Sequence, residues 1–320
     1  MQLYSRDAIA EAVTLDQDAL AAVEAGFAAL GRGEVVQPPI LSMAMEEFGS
    51  EVDVKTAHIR DAPRFAIKVS TGAFDNPKRG LPSLNGLMMV FSAETGLVEA
   101  VLFDEGYLTR VRTALAGAIA ARHLARPDSR RVAVLGAGEQ AEQQVEALRL
   151  VRDIDTLDVW ARRREAAEAY AARMRATGLS VNVHDSVHGA CQRADIIVTT
   201  TPAREPLLRA QDLPEGVHVT AMGSDSPDKR ELDDEVMIRA DAFVCDTRAQ
   251  SETNGELKVF AGREVPFKVH ELGRVIAEGQ RLRLTDATIT VCDLTGTGVQ
   301  DTAIAAFALE RLAAGRADGP

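Results

Sequence analysis

"RRVAVLGAGEQAEQQVEAL", residues 130–148, is the stretch on which the fold turns. An apolar run, a glycine turn and a helix-forming run follow one another, which reads as strand, turn and helix. Its centre, "GAGEQA" (136–141), is a G-x-G-x-x-A pattern. Gly136 permits the tight turn, Gly138 lets a pyrophosphate approach the backbone, and Ala141 allows close helix–strand packing. The helix then offers free N–H groups and a positive dipole end to the phosphates. Alone the pattern is weak; after an apolar strand and at a helix start it indicates a dinucleotide site. Residues 1–129 precede it, so a separate N-terminal domain is expected.

Downstream, the rhythm alternates. Strands read at "RVAVLG", "LDVWA", "VNVH", "DIIVTTT", "HVTAMG", "AFVCDT" and "ITVCDL", with helical stretches between most of them. Parallel strands need crossover helices, so the alternation predicts a Rossmann-type, doubly wound parallel sheet in an α/β fold. A last helix is expected from about residue 299 to 314, packing back on the first domain, with the closing residues frayed.

Upstream, the pattern is different. Thr14 and Gln17 read as a capping box, and Leu20, Val23, Phe27 and Leu30 share one helical face before Gly31 and Gly33 close the helix. Strands follow at "VDVKTAHI" (52–59), "FAIKVS" (65–70), "LNGLMMVFS" (84–92) and "VEAVLFD" (98–104), then an Ala-rich helix near 109–125. The prediction is an α+β domain over residues 1–125, completed by 299–320, for substrate binding and dimerisation. A dinucleotide-binding domain then covers 126–298.

Composition removes several functions. A net charge of −12 disfavours nucleic acid, whose affinity comes largely from Lys and Arg on phosphates. An anionic substrate would need a local cationic pocket. Cys191, Cys245 and Cys292 are far apart, without C-x-x-C spacing, which suits buried thiols in a reducing compartment. The six His show no H-x-x-x-H spacing, so no metal is expected. "MQLYSRDAIAEAV" lacks a signal-peptide pattern, and no apolar run approaches the roughly 20 residues of a membrane span. A soluble, cytoplasmic protein is expected.

Candidate residues stand out in both halves. In "FAIKVS", Phe65, Ile67 and Val69 share one face, while Ala66, Lys68 and Ser70 share the other; Lys55 is placed likewise in "VDVKTAHI". The apolar face reads as core, so the lysines read as solvated unless they face a cofactor cleft. Arg110 and Arg112 lie near opposite sides of a helix, and Arg112, amid small apolar residues, calls for a partner such as a carboxylate. Asp225, in "AMGSDSPDKREL", reads on spacing alone as a helix cap more readily than as a catalytic carboxylate. "VWARRRE" places Arg162, Arg163 and Arg164 where ribose is selected; Arg there leans towards a 2′-phosphate, although the run also suits adenine stacking or solvent.

Taken together, "FAIKVS", "GLPSLNG", "YLTRVRTALAG", "VLGAGEQA", "AMGSDSPDKREL" and "GTGVQDTAIA" resemble the ornithine cyclodeaminase/mu-crystallin family over nearly the whole chain. That family includes cyclodeaminases, amino-acid dehydrogenases, imine reductases and hormone-binding crystallins, and its dimers form through the N-terminal sheet. The resemblance implies that Lys68 contacts a substrate carboxylate and takes part in proton transfer. It implies that Arg112 lies between substrate and cofactor, and that Asp225 is catalytic. For the cofactor it implies contacts from Ser83, Arg112, Thr113, Gly136, Gly138, Glu139 and Gln140. Arg162, Thr200, Thr201, Met222, Gly223, Lys229 and Gly296 complete that set.

One departure bears on substrate. Many members carry Arg after "PP" in the first half, where this chain has Ile40; Lys55 stands where cyclodeaminases are commonly apolar. "PPILSM", "EVDVKTA" and "DNPKRGLPSLNGLM" look most like iminosuccinate reductases and ectoine-utilisation relatives. The resemblance therefore implies an NAD(P)H-dependent imine reductase forming L-aspartate from iminosuccinate, with Lys55 and Arg112 among the substrate contacts and NAD placed ahead of NADP. A cyclodeaminase-type lyase with bound NAD and a non-enzymatic binder are the alternatives. A homodimer acting on a small dicarboxylic imine is implied, without nucleic acid or membrane partners.

Overall fold

A computed structural model describes residues 1–73 and 75–317. Its first stretch runs β1 (Gln2–Ser5), α1 (Arg6–Ala12), α2 (Gln17–Gly31), β2 (Val35–Val36), β3 (Leu41–Met45), β4 (Ser50–Ile59), β5 (Arg64–Ala73), β6 (Leu84–Ser92), β7 (Val98–Phe103) and α3 (Tyr107–Leu124). Then follow β8 (Arg131–Leu135), α4 (Glu139–Leu148), β9 (Thr156–Trp160), α5 (Arg164–Arg175), β10 (Ser180–Val183), α6 (Val187–Cys191), β11 (Ile196–Thr199) and β12 (His218–Ala221). The chain ends with α7 (Asp234–Arg239), β13 (Ala242–Cys245), α8 (Arg248–Ser251), β14 (Val269–Glu271), α9 (Leu272–Ala277), β15 (Thr290–Asp293) and α10 (Gly298–Ala317). Of the closing "GRADGP" (315–320), expected to fray, residues 315–317 instead continue α10, and 318–320 lie outside the described residues. No helix among the described residues is long and apolar enough to cross a membrane.

The chain divides into two compact units, Met1–Arg112 with Thr297–Pro320 and Thr113–Gly296. In the first, the main strand order is β1-β7-β6-β5-β4-β2, with β3 on β4. Strands β3 to β7 pair antiparallel and β1 joins parallel. Helix α10 packs on α2, β4 and β5. Its first residue approaches β4 so closely that a Cβ on Gly298 would lie 2.3 Å from the Thr56 carbonyl. Only glycine fits that crossing.

Three readings of this unit need correction. The helix-covered face is the one bearing Ala57, Ala66, Met88, Val90, Ala100 and Leu102, not the one bearing Phe65, Ile67 and Val69, which stay half-buried. Small residues on the covered face admit the helices closely, and the larger apolar ones face outward. Lys55 and Lys68 are consequently buried rather than solvated. Second, Asp16, not Thr14, caps α2, its carboxylate accepting from Ala19 N at 2.8 Å. Third, where the sequence indicates one helix ahead of these strands there are two, α1 and α2, and the seven residues of α1 are too few for a firm helical period.

In the second unit, an eight-stranded sheet runs β10-β9-β8-β11-β12-β15-β13-β14, and every pairing is parallel. Two apolar layers flank it. Leu135, Ile197, Val219, Phe243 and Val291 build one; Val132, Val145, Leu157, Tyr170 and Val198 build the other. Strand order reverses around β8, where its neighbours are β9 and β11. Crevices at such reversals, outside the carboxyl ends of the strands, are where open α/β sheets bind ligands.

Candidate functional site

The first unit gathers cations around one carboxylate. Lys55 on β4 and Lys68 on β5 are direct cross-strand partners, and α10 brings Gln300 and Asp301 to the same place in its first turn. Lys68 Nζ lies 2.9 Å from Asp301 Oδ2, and Arg112 Nε lies 3.0 Å from Asp301 Oδ1. Arg112 Nη1 also donates to Gln300 Oε1 at 2.9 Å. Lys55, Lys68, Arg112, Gln300 and Asp301 are all buried. A carboxylate in a helix's first turn is further favoured by the helix dipole.

Burial decides the electrostatics. Lys68 is pushed down to about 7, first by loss of water and then by the Arg112 and Lys55 charges, against the opposing pull of Asp301. Burial would push Asp301 up, but Arg112, Lys68 and Lys55 together hold its carboxyl below the usual range. Asp104, whose carboxylate accepts from Leu108 N at 2.8 Å, is pushed up to about 6, chiefly by burial. Three buried basic side chains thus surround a single low-pKa carboxylate. Gln300 Nε2 and Thr297 Oγ1 are buried there without a hydrogen-bond partner. Orphan donors beside excess positive charge are what an anionic ligand would satisfy.

Asp301, Gln300 and Thr297 were not among the residues expected from sequence. The signal was present in "GTGVQD", an acid and an amide inside an otherwise small, apolar helix start. Ser83, expected at the cofactor, precedes β6 and is half-buried, its carbonyl accepting from Ala73 N at 2.8 Å. Arg110 is set apart from Arg112, its guanidinium 5.9 Å from the Tyr107 ring centre.

In the second unit, the remaining residues follow the carboxyl ends of the strands. Gly136 leaves β8 at φ 132°, and a Cβ there would meet Thr200 Oγ1 at 2.5 Å. Gly138 is the N-cap of α4, with no side-chain cap, and a Cβ there meets nothing within 4 Å. An uncapped helix start with open space before it fits a dinucleotide pyrophosphate. Glu139 and Gln140 open that helix, and Arg162 is exposed beyond β9. Arg164 is taken up by Asp185 and Glu168. Thr113, on α3, receives Gln144 Nε2 on its carbonyl at 3.0 Å.

Buried carboxylates brace these edge loops. Glu231 accepts from Thr201 N at 2.6 Å, Thr201 Oγ1 at 2.7 Å and Gly223 N at 2.7 Å, fixing the segments that carry Thr200, Thr201, Met222 and Gly223. Asp246 accepts from Thr295 N at 2.8 Å and Gly296 N at 2.7 Å. Sequence reasoning missed both, although "FVCD" shows an acid directly ending an apolar strand. Asp225 is not a helix cap, since no helix starts in its loop. It is exposed and pairs with Lys229 Nζ at 2.7 Å.

The chain belongs to the ornithine cyclodeaminase/mu-crystallin family, whose model matches residues 2–316. It is 48% identical to a putative dehydrogenase of Rhizobium meliloti, over 97% of this chain and 95% of that one. An archaeal alanine dehydrogenase dimer with bound NAD superposes with a TM-score of 0.91 at 32% identity, covering 100% of this chain and 98% of the other. The iminosuccinate reductase of Paracoccus denitrificans, in complex with NAD+, gives 0.89 at 30% identity, covering 99% and 97%.

Proposed function

We propose that this protein is an NAD(P)H-dependent imine reductase that forms an amino acid from a carboxylate-bearing imine, with iminosuccinate to L-aspartate as its reaction. The observation that carries this reading is the cluster of Lys55, Lys68 and Arg112, buried around Asp301 with unsatisfied donors on Gln300 and Thr297. Lys55, Lys68 and Arg112 together favour an anion beside them, and a dicarboxylic imine brings two.

Arg112 offers a planar fork to the substrate's α-carboxylate, and Lys68 a point charge. Lys55 is assigned the second carboxylate. With its proton held at about 7, Lys68 can give or accept it near neutral pH. Asp225, with Lys229, is the other candidate for proton relay. The reduced nicotinamide ring supplies the hydride when bound. Gly136, Gly138, Glu139, Gln140, Thr200, Thr201, Met222, Gly223 and Gly296 would hold the dinucleotide, joined by Ser83, Thr113 and Lys229. Arg162 would face the ribose, with NADH placed ahead of NADPH.

A homodimer is part of this reading. The sheet face turned away from α10 carries in-register rows, Leu41–Val54–Val69–Leu87 and Leu3–Val101–Met89–Ile67. Leu41 is 60% exposed and Leu3 57%. Apolar surface in contiguous rows favours covering by another protein surface.

The test is loss of reduced-nicotinamide absorbance with oxaloacetate plus ammonia, against pyruvate plus ammonia and against ornithine. Preference for the first supports the assignment. Ammonia release from ornithine without net cofactor change would overturn it in favour of the lyase.

A further inference from the structure

The loop that follows β12 has an anchor that the functional reading does not use. Lys258, half-buried after α8, directs its ammonium into this loop rather than to solvent. It donates to Ser224 Oγ at 2.8 Å and Ser226 O at 3.2 Å, and also to the Lys229 carbonyl. A fourth acceptor, Asn254 O at 3.1 Å, lies on its own segment. Ser224 adds a second tie, its hydroxyl donating to Lys229 O at 2.8 Å. At the base, Glu231 holds Gly223 N. Residues 224–229 form neither helix nor strand, so few backbone bonds of their own hold their shape.

We propose that Lys258 is a positioning residue: its ammonium folds the 224–229 loop so that Asp225 and Lys229 are presented together at the carboxyl edge of the parallel sheet. The charge matters because a lysine supplies three donors that converge on carbonyl and hydroxyl oxygens from both ends of the loop. No neutral side chain of that length does so. Burial pushes the Lys258 ammonium down, and the charges of buried Glu256 and Asp293 oppose that shift. The inference rests on the assignment of Asp225 to the chemistry.

The experiment compares Lys258→Met, Asp225→Asn and the double variant in the full chain. Turnover is measured with the best imine substrate, and hydrogen exchange is followed at residues 224–229. Lys258→Met should lower kcat about tenfold to a hundredfold, the scale of a small misplacement. KM should move little, and amide exchange should speed up in this loop while β11 and β12 stay protected. In the Asp225→Asn background, Lys258→Met should cost nothing further. A folded Lys258→Met protein with parental kcat and parental exchange would overturn the inference. So would a loss that multiplies in full on Asp225→Asn, because Lys258 would then act elsewhere. If Asp225→Asn itself is silent, the assignment of Asp225 fails, while exchange still decides whether Lys258 holds the loop. Should Lys258→Met not fold, Ser224→Ala, which removes one tie, is read in the same way.

Discussion

Lys68 and Asp301 form a 2.9 Å ion pair in which neither side chain reaches solvent. They come from a strand and a helix separated by most of the chain. Because Asp301 also holds Arg112 at 3.0 Å, one carboxylate sets the positions of both cations assigned to the substrate's α-carboxylate.

The first expectation concerns pH. Lys68 is held down to about 7 from its ordinary 10.5, by burial and then by Arg112. As pH rises through 7 the folded protein loses this proton, and with it a cation for substrate. Parental kcat/KM should therefore fall above about pH 7, and Lys68→Arg, which does not titrate, should lack that limb. Stability moves the other way. Between pH 7 and 10.5 the unfolded chain binds the proton that the folded chain has lost, so this group's contribution rises with pH. Identical pH profiles for parent and Lys68→Arg would remove Lys68 from the titration.

Two carboxylates should separate stability from chemistry. Asp301→Asn leaves Lys68 and Arg112 buried without their counter-charge, which costs about 3–5 kcal/mol and should lower the melting temperature clearly. Asp225 is exposed, so Asp225→Asn should shift stability by no more than about 0.5 kcal/mol while reducing kcat. Thermal melts and steady-state rates on both variants check this. A silent Asp301→Asn melt would mean the cluster does not depend on that charge.

The glycine turn allows a similar contrast. At Gly138 a side chain meets no protein atom within 4 Å, so Gly138→Val should fold, melt like the parent and lose NADH binding by calorimetry. At Gly136 the backbone has φ 132° and a Cβ would collide with Thr200, so Gly136→Val should lose stability first. Parental NADH affinity in folded Gly138→Val would make the turn structural only.

These contrasts follow what was legible. Local patterns were read well: "LNGLMMVFS" is β6 residue for residue, and the glycine turn lies between β8 and α4 as expected. Both depend on neighbours in sequence. The inward face of β5 was misread because alternation identifies two faces but not which one a distant helix covers. Here α10 chose the face with Ala57 and Ala66, and carried Lys68 inside with them. Asp301 and Gln300 escaped notice for the same reason, since their meaning depends on partners more than 180 residues away. Strand β14, three residues long, was missed because it has too few residues to alternate.

Lys55 offers the sharpest test of the substrate. It is buried beside Lys68, its direct cross-strand partner, and its charge acts on both Lys68 and Asp301. Like charges directly opposite on a sheet are unfavourable, so an arrangement that keeps both lysines inside favours an added anion. If that anion is the second carboxylate of the substrate, Lys55→Met should penalise the dicarboxylic imine and spare the monocarboxylic one. The expected change in selectivity is about tenfold to a hundredfold, or about 1.4–2.7 kcal/mol, modest for an ion pair lost from a partly desolvated site. Methionine keeps most of the side-chain volume, so the pocket should not collapse. Removing one of two facing cations should also let Lys68 hold its proton more tightly, moving the pH limb upward. The assay is kcat/KM for oxaloacetate plus ammonia and for pyruvate plus ammonia, in parent and variant. Equal losses on both substrates would show that Lys55 does not read the second carboxylate, and the iminosuccinate assignment would lose its main support.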